Sequence, residues 1–125
     1  MTKSYRDLRV WQESVDLVEA IYTTTGAFPP DERFHLIAQM RAAAISIPSN
    51  MAEGQGRITS GEWLQFLGHA RGSLFELETQ LTISERLKML APEDLQQLLL
   101  RTASIRGGLA GLMNYLRTTA LRRRP

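Results

Sequence analysis

Apolar residues recur at steps of three and four along almost the whole chain, and no stretch alternates polar and apolar for long enough to build a strand. The pattern predicts four helices. The first, about 7–25, carries Leu8, Trp11, Val15, Val18 and Tyr22 on one stripe. Ser4, three residues before Asp7, is a candidate N-cap, and Thr23-Thr24-Thr25-Gly26 a stop. The second, about 31–54, opens after Phe28-Pro29-Pro30 with Asp31 and Glu32 at the positive end of the helix dipole. It turns Leu36, Met40, Ala44, Ile47 and Met51 inward. The third, about 60–89, starts at a T-x-x-E capping box, Thr59 to Glu62. Its Trp63, Leu67, Ala70, Leu74, Leu77, Leu81 and Ser84 alternate steps of four and three, a seam that requires a neighbouring helix at a shallow angle. The fourth, about 92–118, places Pro92 at its first position and Leu95, Leu98, Thr102, Ile105, Leu109, Leu112 and Leu116 inward, leaving residues 119–125 as a basic tail. Helices of about 20 residues are each about 30 Å long. With short connections they predict an all-α, antiparallel, up-and-down four-helix bundle in a single domain.

Pro48 interrupts this regularity. Its ring removes the bond that a helical N–H gives to the carbonyl of Ala44, at about 3 kcal/mol. Because Ile47 and Met51 keep one stripe on both sides, a kinked continuous helix is favoured over a break at Ile47, with Ser46, Ser49 and Asn50 as side-chain partners for the freed groups. Gly54-Gln55-Gly56 reads as a helix C-cap and turn. No strand precedes it and no Gly-Lys-Ser/Thr follows, so a phosphate loop is disfavoured.

Composition narrows the function classes. The 125 residues, 43% apolar and 22% charged, suit one globular domain. The absence of cysteine excludes disulfides and thiolate metal sites and suits a reducing cytoplasm, the expected location. The N-terminal residues contain no apolar run of signal-peptide length, and no segment is apolar enough to span a bilayer, so no membrane partner is expected. Net charge is only +2, yet thirteen of the fifteen basic residues are arginine, and Arg122, Arg123 and Arg124 adjoin. Arginine is the better fork for phosphate, which makes RNA or DNA a candidate partner; the plainer reading is solvated helix faces and a basic end.

Catalysis is not expected. His35 and His69, the two histidines, stand in no Glu-x-x-His pair, so no metal or other cofactor is predicted. Ser46, Ser49 and Ser73 have no Asp–His relay. Asn50 and Glu53 share a helix face, with Arg57 just beyond and Arg41 two to three turns earlier. Glu53 with Arg41, Arg57 or Arg71 predicts an ion-pair network that fixes the kink or joins subunits, or else a ligand site. Gly72, Gly107, Gly108 and Gly111 inside helices suggest close approach of another backbone. Trp11, Trp63, Phe66 and Phe75 read as core or subunit contacts rather than base-stacking platforms, since none is interleaved with basic residues. Phe66 and Phe75 lie outside the third helix's seam, where an oligomer interface needs apolar residues.

The segments RDLRVWQESVDLVEAIY, FPPDERFHLIAQMRAAA, SIPSNMAEGQGR and FLGHARGSLFELETQLTISERL, together about Tyr5 to Leu90, resemble the four helix bundle protein family often encoded by intervening sequences of bacterial 23S rRNA genes. The resemblance implies an antiparallel bundle that assembles as a ring-like homopentamer. It also implies kinship with the accessory variability protein of diversity-generating retroelements, which binds nucleic acid and a reverse transcriptase. The Gly107-Gly108-Leu109-Ala110-Gly111 run and the Arg122 to Arg124 tail depart from the family pattern. The resulting expectation is a non-enzymatic, homopentameric accessory protein that binds nucleic acid through Arg41, Arg57, Arg71, Arg117 and Arg122 to Arg124. The alternative is an adaptor for a protein partner with no direct nucleic-acid contact.

Overall fold

The computed structural model describes residues 4–122, with side chains described through residue 119. Four helices, α1 (Arg9–Gly26), α2 (Ala38–Gln55), α3 (Ser60–Arg86) and α4 (Pro92–Arg122), carry the architecture, and no strand occurs among the described residues. Ser4 caps not α1 itself but a 3₁₀ turn, Tyr5–Asp7, accepting the Arg6 N–H at 3.1 Å. A second 3₁₀ turn, Pro30–Glu32, and a π-helical turn, Arg33–Ile37, lead into α2, so its α-helical register begins well after Asp31. The Thr59 hydroxyl caps α3 by accepting the Glu62 N–H at 3.1 Å. α3 ends at Arg86 because Lys88 takes a left-handed conformation, φ 64°. Lys88 N–H then bonds the Glu85 carbonyl and Met89 N–H the Ser84 carbonyl, both at 2.9 Å. α4 continues to Arg122, so its backbone includes residues 119–122, expected to be tail.

Each helix packs on its neighbours in sequence and α4 closes back onto α1. The four therefore sit at the corners of a square in chain order, with the α1/α2 flank opposite the α3/α4 flank. Across α2 and α3, Ser84 Oγ lies 3.5 Å from Met40 Sδ, Ser46 Oγ 2.8 Å from Ser73 Oγ, and Gly54 against Trp63. Numbers rise on one helix as they fall on the other, which is the antiparallel arrangement. Across α1 and α4, Val10 meets Gly108, and Ser104 Oγ donates to Glu13 Oε2 at 2.8 Å.

The α3 seam is buried from Leu67 to Ser84, with Trp63 partly buried at its start. The α2 stripe is buried from Met40 to Met51. α2 runs without a break through Pro48, which is itself buried. α1 departs from expectation: its buried residues are Val10, Ser14, Leu17, Ile21 and Thr25, whereas Leu8, Trp11 and Val18 only flank the core and Tyr22 is exposed. Two hydroxyls enter the core because each donates back to the carbonyl four residues earlier, Ser14 to Val10 and Thr25 to Ile21, both at 2.7 Å. α1 thus carries two apolar stripes, and the polar interruptions lie in the inner one.

The glycines also differ from expectation. A Cβ on Gly108 would come within 2.8 Å of Val10 Cβ, and one on Gly54 within 2.7 Å of Phe66 Cβ, so these two are the sites of close approach. Gly72, Gly107 and Gly111 have open space around them within the chain.

Two stability measurements follow. In denaturant titrations Gly108→Ala is expected to lose about 1–3 kcal/mol through overpacking, and Gly72→Ala to gain up to about 1 kcal/mol from helix propensity. Equal shifts of the two midpoints would contradict this packing. Lys88→Gly is expected to gain about 0.5–1 kcal/mol by relieving the left-handed backbone, net of added unfolded-state entropy; a destabilised variant would argue against that conformation.

Candidate nucleic-acid interface

The expected arginine sites have different environments. Arg41 is held within the chain: its Nε donates to Thr25 Oγ1 at 2.9 Å, its Nη2 to the Tyr22 carbonyl at 3.4 Å, and its Cζ sits 4.3 Å from the Tyr22 ring centroid. The expected pairing of Arg41 with Glu53 does not form, because the two are about 18 Å apart along one helix. Arg41 instead ties the end of α1 to the start of α2. Arg57 does pair with Glu53, at 3.0 Å, with both side chains about half exposed, a contact of about 0.3–0.5 kcal/mol. Arg71 and Arg117 are exposed and make no ion pair among the described residues. The side chain of Arg122, and all of Arg123 and Arg124, lie outside the described residues.

Asn50 does not join Glu53 and Arg57. Its Nδ2 donates to both the carbonyl and the hydroxyl of Ser46 at 2.8 Å, and Ser46 shares its hydroxyl with Ser73 of α3. Asn50 therefore belongs to a polar contact that sets the α2–α3 register beside Pro48. Gly54 admits the Trp63 and Phe66 side chains, and Gly56 caps α2 in a helical conformation, its N–H on the Ala52 carbonyl at 3.3 Å.

Arginine and aromatic rings are interleaved in space, contrary to the sequence reading. Arg57 Cζ lies 4.6 Å from the Phe66 ring centroid, and Phe66 meets His69 edge-on at 5.9 Å. Arg6 lies 5.4 Å from the Tyr5 ring and 5.8 Å from Trp11, themselves edge-to-face at 5.2 Å. Arg33 covers Phe34 at 5.3 Å. Tyr5-Arg6 and Arg33-Phe34 are adjacent and visible in the sequence, whereas Arg57–Phe66 and Arg41–Tyr22 form only across helix connections.

The antiparallel order gathers the start of α1, the α2–α3 connection and the end of α4 at one end of the bundle. Arg6, Arg9, Arg57 and Arg117 lie toward that end, with Asp7, Glu53 and Glu62 as the opposing charges. Along the α1/α4 flank, Glu13, Asp16 and Glu19 surround Arg101, a field that disfavours phosphate. No group of three His, Cys, Asp or Glu residues able to hold a metal occurs among the described residues, and no helix there is long and apolar enough to cross a membrane. His35 and His69 are both exposed.

The family model described as 23S rRNA-intervening sequence protein matches residues 6–111, from the turn before α1 to well inside α4. No curated protein matches the chain. Among solved structures, a protein of unknown function from the S23 ribosomal protein family of Bacteroides thetaiotaomicron is similar, with a TM-score of 0.77 and 17% identity over 84% of this chain and 95% of that one. At that identity the likeness speaks for the fold, while the family match rests on the residues themselves. The chain belongs to the 23S rRNA-intervening sequence protein family.

Proposed function

We propose that the protein is a non-enzymatic accessory factor that assembles as a homo-oligomeric ring, a pentamer by family resemblance, and binds structured nucleic acid at the arginine-bearing end of the bundle. The observation that carries this reading is the pairing of Arg57 with Phe66, and of Arg6 with Tyr5 and Trp11, at the same end. An exposed guanidinium on a ring offers a phosphate fork, and beside it a face on which a base can stack for about 1–3 kcal/mol. Asp7, Glu53 and Glu62 make the patch of one copy weak. A ring multiplies it, because after one contact the others act at high effective concentration. Arg41 is assigned a structural role in this reading, since its guanidinium is occupied by α1. The cytoplasm is the compartment that suits such a factor.

Titration of labelled structured RNA and duplex DNA at two salt concentrations tests the proposal. For a fourfold rise in salt, affinity is expected to fall about threefold for each phosphate neutralised. No binding at low salt leaves the adaptor reading in its place. Arg57→Gln combined with Arg117→Gln is expected to weaken binding and flatten the salt dependence while oligomer mass is kept, and deletion of Arg122 to Arg124 to act in the same direction. Arg41→Gln is expected to lower stability with little effect on affinity. The reverse ranking, with Arg41 dominant, would place the contact elsewhere.

A further inference from the structure

Ile58 is 97% exposed, more than any other large apolar side chain among the described residues. Tyr22 and Ile45 expose apolar surface on the α1/α2 flank, and Phe75 and Ile83 on the α3/α4 flank. Ile58 stands apart from both, on the short connection between Gln55 of α2 and Ser60 of α3, at the arginine-bearing end. That connection is tied down on either side of it. Before Ile58, the Gly56 N–H bonds the Ala52 carbonyl at 3.3 Å and the Arg57 N–H bonds the Gly54 carbonyl at 3.1 Å. After it, Thr59 Oγ1 accepts the Glu62 N–H at 3.1 Å and donates to Glu62 Oε1 at 3.2 Å. A fixed turn thus holds an aliphatic side chain out in water.

The neighbouring chemistry specifies what covers it. Arg57 precedes it, with its guanidinium over the Phe66 ring at 4.6 Å, and the positive end of the α3 dipole follows at Ser60. Of the opposing carboxylates, Glu53 is paired with Arg57 and Glu62 is held by Thr59. An apolar surface flanked by phosphates is a base step of a nucleic acid, and an aliphatic side chain inserted there parts the two bases. We infer that Ile58 is such a wedge, so that the site selects nucleic acid whose stacking is already interrupted, at a bulge or loop, over a continuous duplex. The assignment rests on the nucleic-acid reading above and names the class of partner. A continuous helix must be unstacked to admit the side chain, whereas a bulge is unstacked beforehand, and that difference is the selectivity. An anionic lipid surface also places apolar chains beneath phosphate. One isoleucine buries too little to hold the bundle there, since even a whole myristoyl chain binds membranes only marginally.

Two RNA hairpins of one sequence, one with a single-nucleotide bulge and one fully paired, test this when each carries 2-aminopurine at the same stem position, beside the bulge in the first. Its fluorescence rises on unstacking. The wild-type chain is expected to bind the bulged hairpin about tenfold more tightly than the paired one and to raise fluorescence there alone. Ile58→Ser is expected to keep its helical circular dichroism and its salt dependence, yet to bind both hairpins alike with no fluorescence rise. Ile58→Leu is expected to restore the preference. Equal wild-type affinity for the two hairpins, or a preference and fluorescence rise that survive Ile58→Ser, overturns the wedge while leaving the nucleic-acid reading standing. Absence of binding to either hairpin at low salt overturns both, and capture on phosphatidylglycerol vesicles in that case assigns Ile58 to a lipid surface.

Discussion

The close approach of α2 and α3 determines where everything else in the bundle lies. Gly54 lets α2 sit directly on Trp63 and Phe66 at one end of the pair, and Ser46, Asn50 and Ser73 are hydrogen-bonded at its middle. With only a short connection between the helices, these contacts fix both the separation and the longitudinal register. The fully buried side chains of the seam, Leu67, Leu74, Leu77 and Leu81, contribute about 1.5–3 kcal/mol each. The serine and asparagine hydrogen bonds, at about 1 kcal/mol each, add less energy but are directional, so they select one register among several that would bury the leucines about equally well. α1 and α4 are then laid on this pair, α1 through Arg41 and α4 through the Glu78 carboxylate, which accepts from both Thr102 and Arg106.

Much of this was legible in the sequence, and the reasons differ by helix. The α3 seam is periodic and almost uninterrupted, so its spacing alone identifies the inner face. Thr102 in α4 was legible as inward because the spacing demanded it, although its partner Glu78 was not. In α1 the spacing supports two stripes, and the one without polar residues looks like the core. The true inner stripe includes Ser14 and Thr25, whose hydroxyls satisfy themselves on their own helix, a local bond that hydropathy cannot register. The glycines show a related limit. Gly72 and Gly108 are indistinguishable as mid-helix glycines, and only the neighbouring helix makes one a close contact and leaves the other open.

The same distinction applies to the arginines. Arg41 and Arg57 stand at comparable distances from Pro48 and both stack on a ring, yet Arg41 is hydrogen-bonded to α1 while Arg57 has only an exposed carboxylate beside it. The site at which each guanidinium acts depends on which helix end comes within reach, and that is a property of topology. Family membership explains why this topology recurs, while leaving the chemistry of the surface to this chain's own residues.

How the surface is partitioned constrains any polyanion partner. Two opposite flanks are apolar, the α1/α4 flank is acidic, and the α2/α3 flank has already committed Ser46, Asn50 and Ser73 to internal hydrogen bonds. A phosphate backbone lying along the bundle would desolvate against apolar side chains or face Glu13, Asp16 and Glu19. At the end where α1 begins and α4 finishes, Asp7, Glu53 and Glu62 are outnumbered by Arg6, Arg9, Arg57 and Arg117, and Arg6 and Arg57 carry rings beside them. In a ring whose axis runs along the bundle, these ends all face the same way. Repetition of the patch on one side then multiplies an attraction too weak in one chain.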